Sequence, residues 1–248
     1  MGWSQVGAAL GLCLAALALL LLAISPLGWR AGWWHFRFAF TWLMTASGIV
    51  AAAATAVSLL TLLLGWSGLD ARGMAMAAAG LVLGAVLVYV PWNYNRLRSA
   101  VPRIHDITTD TENPPAFKAV LPARAAEKAA TEVYEGPELA RQQKAAYPDL
   151  APLELNSAAA TAFEQALETA KSMPGWTIVA AEPATGRIEA SQTSRWFGFT
   201  DDIVIRVTAD GPRSRIDMRS LSRQGRSDFG INAARIRAYM GALKKRVG

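Results

Sequence analysis

The sequence predicts a two-part chain: an α-helical membrane anchor of three transmembrane helices, then an α+β soluble domain with a four-stranded antiparallel sheet and flanking helices. Three observations predict it. Charge is segregated: residues 1–92 carry only Arg30, Arg37, Arg72 and Asp70, while residues 93–248 hold the other 22 basic and 18 acidic side chains. The first part contains three stretches without Asp, Glu, Lys or Arg. The second part shows four short runs of apolar–polar alternation between two segments of helical spacing. Overall, 18% of residues are charged, below the roughly 25% of soluble domains. Wholly soluble, disordered and disulfide-scaffold proteins are excluded, and the single Cys13 rules out an intrachain disulfide or a cysteine-based zinc site.

The anchor spans residues 1–92, with helices expected at about 6–25, 38–64 and 74–91. A bilayer core takes about 20 apolar residues as helix, so the first two runs suffice and the third is near the short limit. The first run lacks a basic leader and a good cleavage site, and reads as a retained helix rather than a signal peptide. Trp29, Trp33, Trp34 and Trp42 crowd the first loop, Trp66 follows the second run and Trp92 closes the third, as interfacial indoles do. Arg30 and Arg37 share a side with Arg96, Arg98 and Arg103, against Arg72 and Asp70 opposite. The positive-inside rule therefore puts the C-terminal part in the cytoplasm. No span carries a charge, and three helices enclose little volume, which argues against transport by this chain alone. Thr41, Thr45, Gly48, Ala52, Thr55 and Ser58 form a small stripe, and Gly7, Gly11, Gly80 and Gly84 offer close approach. Packing among the three helices is the simpler use of these sites; docking on a larger membrane assembly is the other.

Eight of the twelve prolines fall between Pro91 and Pro152, and residues 93–156 read as an extended connecting segment with short helical pieces, including one over 123–133 stopped by Gly136-Pro137. Asp106, Asp110 and Glu112 are dense in oxygen ligands, but their spacing fits no calcium loop, and a strap that satisfies local backbone donors is the better reading. The balance of charge changes sign along the chain: five basic to eleven acidic residues over 105–170, fourteen to seven over 171–248. The first part is thus suited to lie across the second.

Residues 157–248 form the predicted domain. A helix over 157–173 has Ser157 as N-cap and ends at Pro174-Gly175. Strands are expected over 176–181, 187–193, 202–208 and 214–221, then a helix over 231–247. Short turns make the sheet antiparallel with both helices on one face and a more polar face opposite. The densest polar run lies at the last strand-to-helix junction: Arg219, Ser220, Ser222, Arg223, Arg226, Ser227, Asp228, Asn232 and Arg235. Guanidinium forks beside a helix N-terminus suit an anionic headgroup or the acidic tail of a partner. Alternatively Asp228 or Ser227 caps the helix, and Arg219 or Arg223 pairs with Asp228 or Asp217.

The stretches 201–207 and 217–236, together with 104–117 and 147–153, resemble the domain-of-unknown-function family 1499 over roughly residues 102–243, with Arg219-Ser220-Leu221-Ser222-Arg223 the distinctive run. The resemblance implies a bacterial or plastid-type protein without an assigned activity, here a membrane-anchored member in the inner membrane. Some relatives look like secreted lipoproteins with a Cys-Pro…Asn-Cys stretch where this chain has 104–114 and no cysteine. Exported relatives would place the domain in the periplasm, against the charge count.

Enzyme signatures are weak. Asp201 and Asp202 are strand neighbours on opposite faces, and a Ser-His-Asp set would need His105 to meet Ser220 or Ser222 and Asp228. No phosphate loop, nucleophile elbow or zinc motif occurs. The reading is a non-enzymatic binding or accessory protein for a membrane protein partner or anionic lipid, with no cofactor, no metal and no nucleic acid. A membrane-anchored hydrolase is the alternative.

Overall fold

The computed structural model describes residues 2–248, which divide into two compact units, Met1–Leu97 and Arg98–Gly248.

Three long helices make the first unit: α1 (Trp3–Arg30), α2 (Phe36–Gly68) and α3 (Ala71–Ala100). Each is long and apolar enough to cross a bilayer. Their contacts are made by small residues. A Cβ on Gly80 would lie 2.5 Å from the Ser58 hydroxyl and 2.9 Å from the backbone of Gly11 and Leu12. One on Gly84 would lie 3.0 Å from the Ala51 carbonyl. Ser47 donates to the Ala18 carbonyl at 2.8 Å and Ser25 to that of Ala39 at 3.2 Å. The glycine pairs thus serve packing within the chain. The buried face of α2 runs through Met44, Ser47, Ala51, Ala54, Ser58, Thr61 and Gly65, one residue around from the predicted stripe, leaving Thr41, Thr45 and Ala52 exposed. Residues 51–54 are all alanine, so size alone could not select the face.

The second unit is built on β3 (Trp176–Glu182), β4 (Arg187–Thr193), β5 (Thr200–Asp210) and β6 (Arg213–Ser222), a continuous antiparallel meander. The sheet has six strands rather than the expected four. The extra two, β1 (Asp106–Thr108) and β2 (Leu153–Leu155), come from the Pro-rich segment and pair antiparallel with β6 at 219–221 and 214–216. Each has only three residues, too few for alternation to be read, and together they cover an edge that would otherwise expose unpaired N–H and C=O groups.

One sheet face carries Ile188, Ile203, Ile205, Ile216 and Met218 against α6 (Ala159–Ser172) and α7 (Ile231–Val247), through Phe163, Ala166, Ile236, Tyr239 and Leu243. Both helices sit on one face because their apolar stripes need the same surface. The N-cap of α6 is Ala158 without a side-chain bond, and the Ser157 hydroxyl has no partner, so the expected serine cap is not formed. Two short helices, α4 (Leu121–Ala126) and α5 (Pro137–Ala146), complete the unit. The Ala-rich helix stops early, with Lys128 at φ 51°. Pro137 begins a helix instead of ending one, since its missing N–H is not needed at the first turn.

The opposite face is polar, as alternation implies, but it is not wet. Glu189, Asp202, Asp217 and Arg219 are all buried. Glu189 accepts the backbone N–H groups of Lys118, Ala119 and Val120 at 2.9–3.0 Å, fixing the start of α4 over the sheet. Phe117, Val120, Val204 and Leu221 fill the space between.

Candidate functional site

The polar run 219–235 leaves β6, crosses a loop and enters α7. Gly225 and Gly230, at φ 87° and 80°, supply left-handed turns that a Cβ would oppose. Asp228 closes the loop: its carboxylate accepts the N–H of Gly230 at 2.9 Å and of Asn232 at 2.8 Å. It therefore caps α7. Burial pushes its carboxyl above the usual carboxylate range, against those two bonds.

The arginines of the run separate into committed and uncommitted ones. Arg219 is buried and holds Asp106 with both fork nitrogens at 2.8 and 2.7 Å. It also donates to the Glu132 carbonyl at 2.6 Å and lies over the rings of Phe117 and Tyr134. Burial pushes the Tyr134 hydroxyl up to about 12. Arg223 holds Asp202 in the same bidentate way, at 2.9 and 2.7 Å, and reaches Glu127 at 2.5 Å. Arg124 from α4 joins Asp202 at 2.8 Å. Arg235 bonds Asp201 at 2.6 Å and Gln192 at 2.7 Å. Ser220 and Asn232 bond each other at 2.7 Å; Asn232 also donates to Ser222 and to the His105 carbonyl. These groups are thus brought together as one network whose acceptors are the protein's own carboxylates and carbonyls. Arg219 and Arg223 pair with Asp106 and Asp202, not with the sequence-adjacent Asp217 or Asp228.

Arg226 differs. It is exposed, and it lines a cavity of about 410 Å³ with Arg103, His105, Glu135, Glu138 and Gln142. Neither Arg226 nor Arg103 makes an ion pair among the described residues. The adjacent Ser227 hydroxyl and the His105 Nδ1 are buried without a partner. Glu138 is engaged by Arg141 and Gln142. The cavity therefore offers two free guanidinium groups, an imidazole and the carboxylate of Glu135.

The carboxylates of the 105–115 stretch turn to different cations: Asp106 to Arg219, Asp110 to Arg206 and Arg215, Glu112 to Lys144. Asp110 also accepts the N–H groups of Glu112 and Asn113, the local strap geometry. Among the described residues no cluster of three His, Cys, Asp or Glu is placed to hold a metal.

Sequence reasoning overlooked the buried roles of Glu189, which holds the start of α4, and of Asp202 and Arg124, which pair, and it overlooked Arg103 as a neighbour of Arg226. The first had a signal. Arg187, Glu189, Asp202, Arg206, Asp217 and Arg219 all fall on the strand positions opposite the isoleucine face, too many charges for one solvated side. The second had none, because residues 103 and 226 are brought together only by the fold.

Three comparisons bear on identity. The family described as protein of unknown function (DUF1499) matches over residues 106–243. No curated protein and no solved structure matches the chain.

Proposed function

The chain belongs to the DUF1499 family of proteins of unknown function, and from that premise we propose that it is a membrane-anchored, non-enzymatic binding protein whose cavity at Arg103 and Arg226 receives the phosphate of an anionic lipid headgroup. One observation carries this reading: the buried arginines of the junction are neutralised inside the domain, while the two that line the cavity are not. Planar guanidinium forks match phosphate oxygens, and His105 adds a further polar group. Arg103 follows the end of α3 by three residues, and juxtamembrane basic groups feel the negative surface of a bilayer. The hydroxyls that a hydrolase would need as nucleophiles, Ser220 and Ser222, are held by Asn232, so binding is favoured over the hydrolase. The inner membrane of a bacterial cell is the proposed location, with the domain on the cytoplasmic side by the arginine count.

The test uses the full chain in neutral detergent, titrated with phosphatidylglycerol and with phosphatidylcholine. Each surface contact contributes about 1 kcal/mol, so Arg103→Gln with Arg226→Gln should weaken phosphatidylglycerol binding roughly thirtyfold. Thermal stability should not change, since neither side chain is buried. Unaltered lipid binding in the double variant, or recovery of an acidic protein bound at this site in place of lipid, would sink the proposal. Reporter fusions after Arg30, Asp70 and Gly248 check the sidedness. A periplasmic signal at Gly248 would overturn it.

A further inference from the structure

We propose that the end of the sheet formed by the β4–β5 hairpin and the first turn of α7 is a lipid-contact face, with Trp196 and Ile231 seated in the bilayer interface. It adjoins the headgroup site through the loop of Arg226, and it is carried by exposed apolar side chains.

Trp196 is 46% exposed and Ile231 52%. The tip that carries Trp196 is held rigidly. The Ser194 N–H donates to the Phe199 carbonyl at 2.8 Å, the Ser194 hydroxyl accepts the Phe199 N–H at 3.0 Å, and the Ser194 carbonyl accepts the Gly198 N–H at 3.0 Å. Phe197 is buried and stacks on Phe199 at 5.3 Å, with Trp196 edge-on to it at 5.4 Å. The aromatic base thus fills the hairpin and leaves the indole outside. Ile231 lies at the same end. Arg235, one turn further along α7, bonds Gln192 and Asp201, residues next to the hairpin's strand ends.

Charge at this end complements a lipid surface. Thr200 at the hairpin base accepts the Arg223 N–H and donates to Gln224, which ties the start of the loop that carries the exposed Arg226 to the hairpin base. The first residues of the unit are here too: the Ile104 carbonyl accepts the Asp228 N–H at 3.2 Å, and Val101 borders Gly230. Residue 101 follows directly on α3. An exposed indole and isoleucine, with the loop of Arg226 nearby and the chain leaving an apolar helix, is the composition of an interfacial face: the apolar side chains enter the headgroup–acyl boundary.

The full chain is reconstituted in nanodiscs in a Cys13→Ser background. An environment-sensitive fluorophore is attached after Trp196→Cys, after Ile231→Cys and, as control, after Val179→Cys, an exposed site on β3. Quenching by nitroxide-labelled lipid and a blue-shifted emission are expected at the first two positions and not at the third, in neutral and anionic discs alike. The signal should persist in the Arg103→Gln, Arg226→Gln chain, which separates this contact from the headgroup site. Ile231→Cys leaves the hairpin intact, so a misfolded tip cannot decide the outcome. Iodide quenching at both positions would overturn the proposal. So would shielding from iodide without lipid quenching, which would mean that protein, a second copy or another chain, covers the face.

Discussion

In the helical unit the closest approach occurs at Gly11, Ser58 and Gly80, where nothing larger than a hydroxymethyl group separates the backbones. In the C-terminal unit the equivalent tight layer is built of arginine and carboxylate: Arg219 on Asp106, Arg124 and Arg223 on Asp202, Arg206 and Arg215 on Asp217. The composition of each unit explains the difference. Helices apolar enough to cross a bilayer would meet lipid tails as apolar as their own surface, so they would gain only by close van der Waals contact, and small residues allow it. A domain folding from water gains by burying apolar area, and it tolerates ions inside only when each finds its partner. Both units use polar side chains as joints, but hydroxyl to carbonyl in one and guanidinium to carboxylate in the other.

The largest expected effect breaks that contrast on the C-terminal side. Asp202→Ala strips a buried carboxylate from two buried arginines and should cost about 3–5 kcal/mol, read by chemical denaturation of the domain's sheet signal. In the helical unit, Gly80→Ala should be milder, about 1–3 kcal/mol, because the new methyl meets backbone that can move only by parting α1 from α3. Mixed-micelle unfolding, followed by far-UV circular dichroism, measures it. A cost for Gly80→Ala equal to that of Asp202→Ala would mean that the bundle is as unforgiving as the ion network.

A pH series sharpens the comparison further. Burial alone would raise Asp110, but the N–H groups of Asn113 and Glu112 and the Arg206 guanidinium hold its carboxyl below the usual range. A depressed folded-state value contributes stability above the unfolded value of about 3.9, lost as pH falls through the folded one. The melting-temperature gap between the natural chain and Asp110→Asn should therefore be constant near neutrality and close below about pH 3.9. The three long helices of the other unit hold no carboxylate, so acid acts there only on Asp70, which accepts the Gly73 N–H at 2.7 Å at the start of α3. The smallest net effect is expected when the whole triad is exchanged. Asp202→Leu with Arg124→Met and Arg223→Met removes charges and partners together, and should leave stability within about 1–2 kcal/mol of the natural chain. A loss as large as that of Asp202→Ala alone would show that the ions are needed for more than mutual neutralisation.

What the sequence determined by itself is what depends on local pattern. Uncharged runs gave the three long helices, because excluding charge from about 20 residues leaves few alternatives. Alternation gave the four-strand meander and its isoleucine face, because strand side chains repeat every two residues. The Arg-rich junction was visible as a composition. The tertiary structure alone decided who each charge would meet. Asp106 reaches Arg219 across more than a hundred residues, by way of a three-residue strand with no periodicity of its own. The same pairing turned Arg219 and Arg223 inward and left Arg103 and Arg226 at the cavity. Coulomb attraction acts through space, and in a buried layer it is the fold, not the spacing along the chain, that sets the distance between opposite charges.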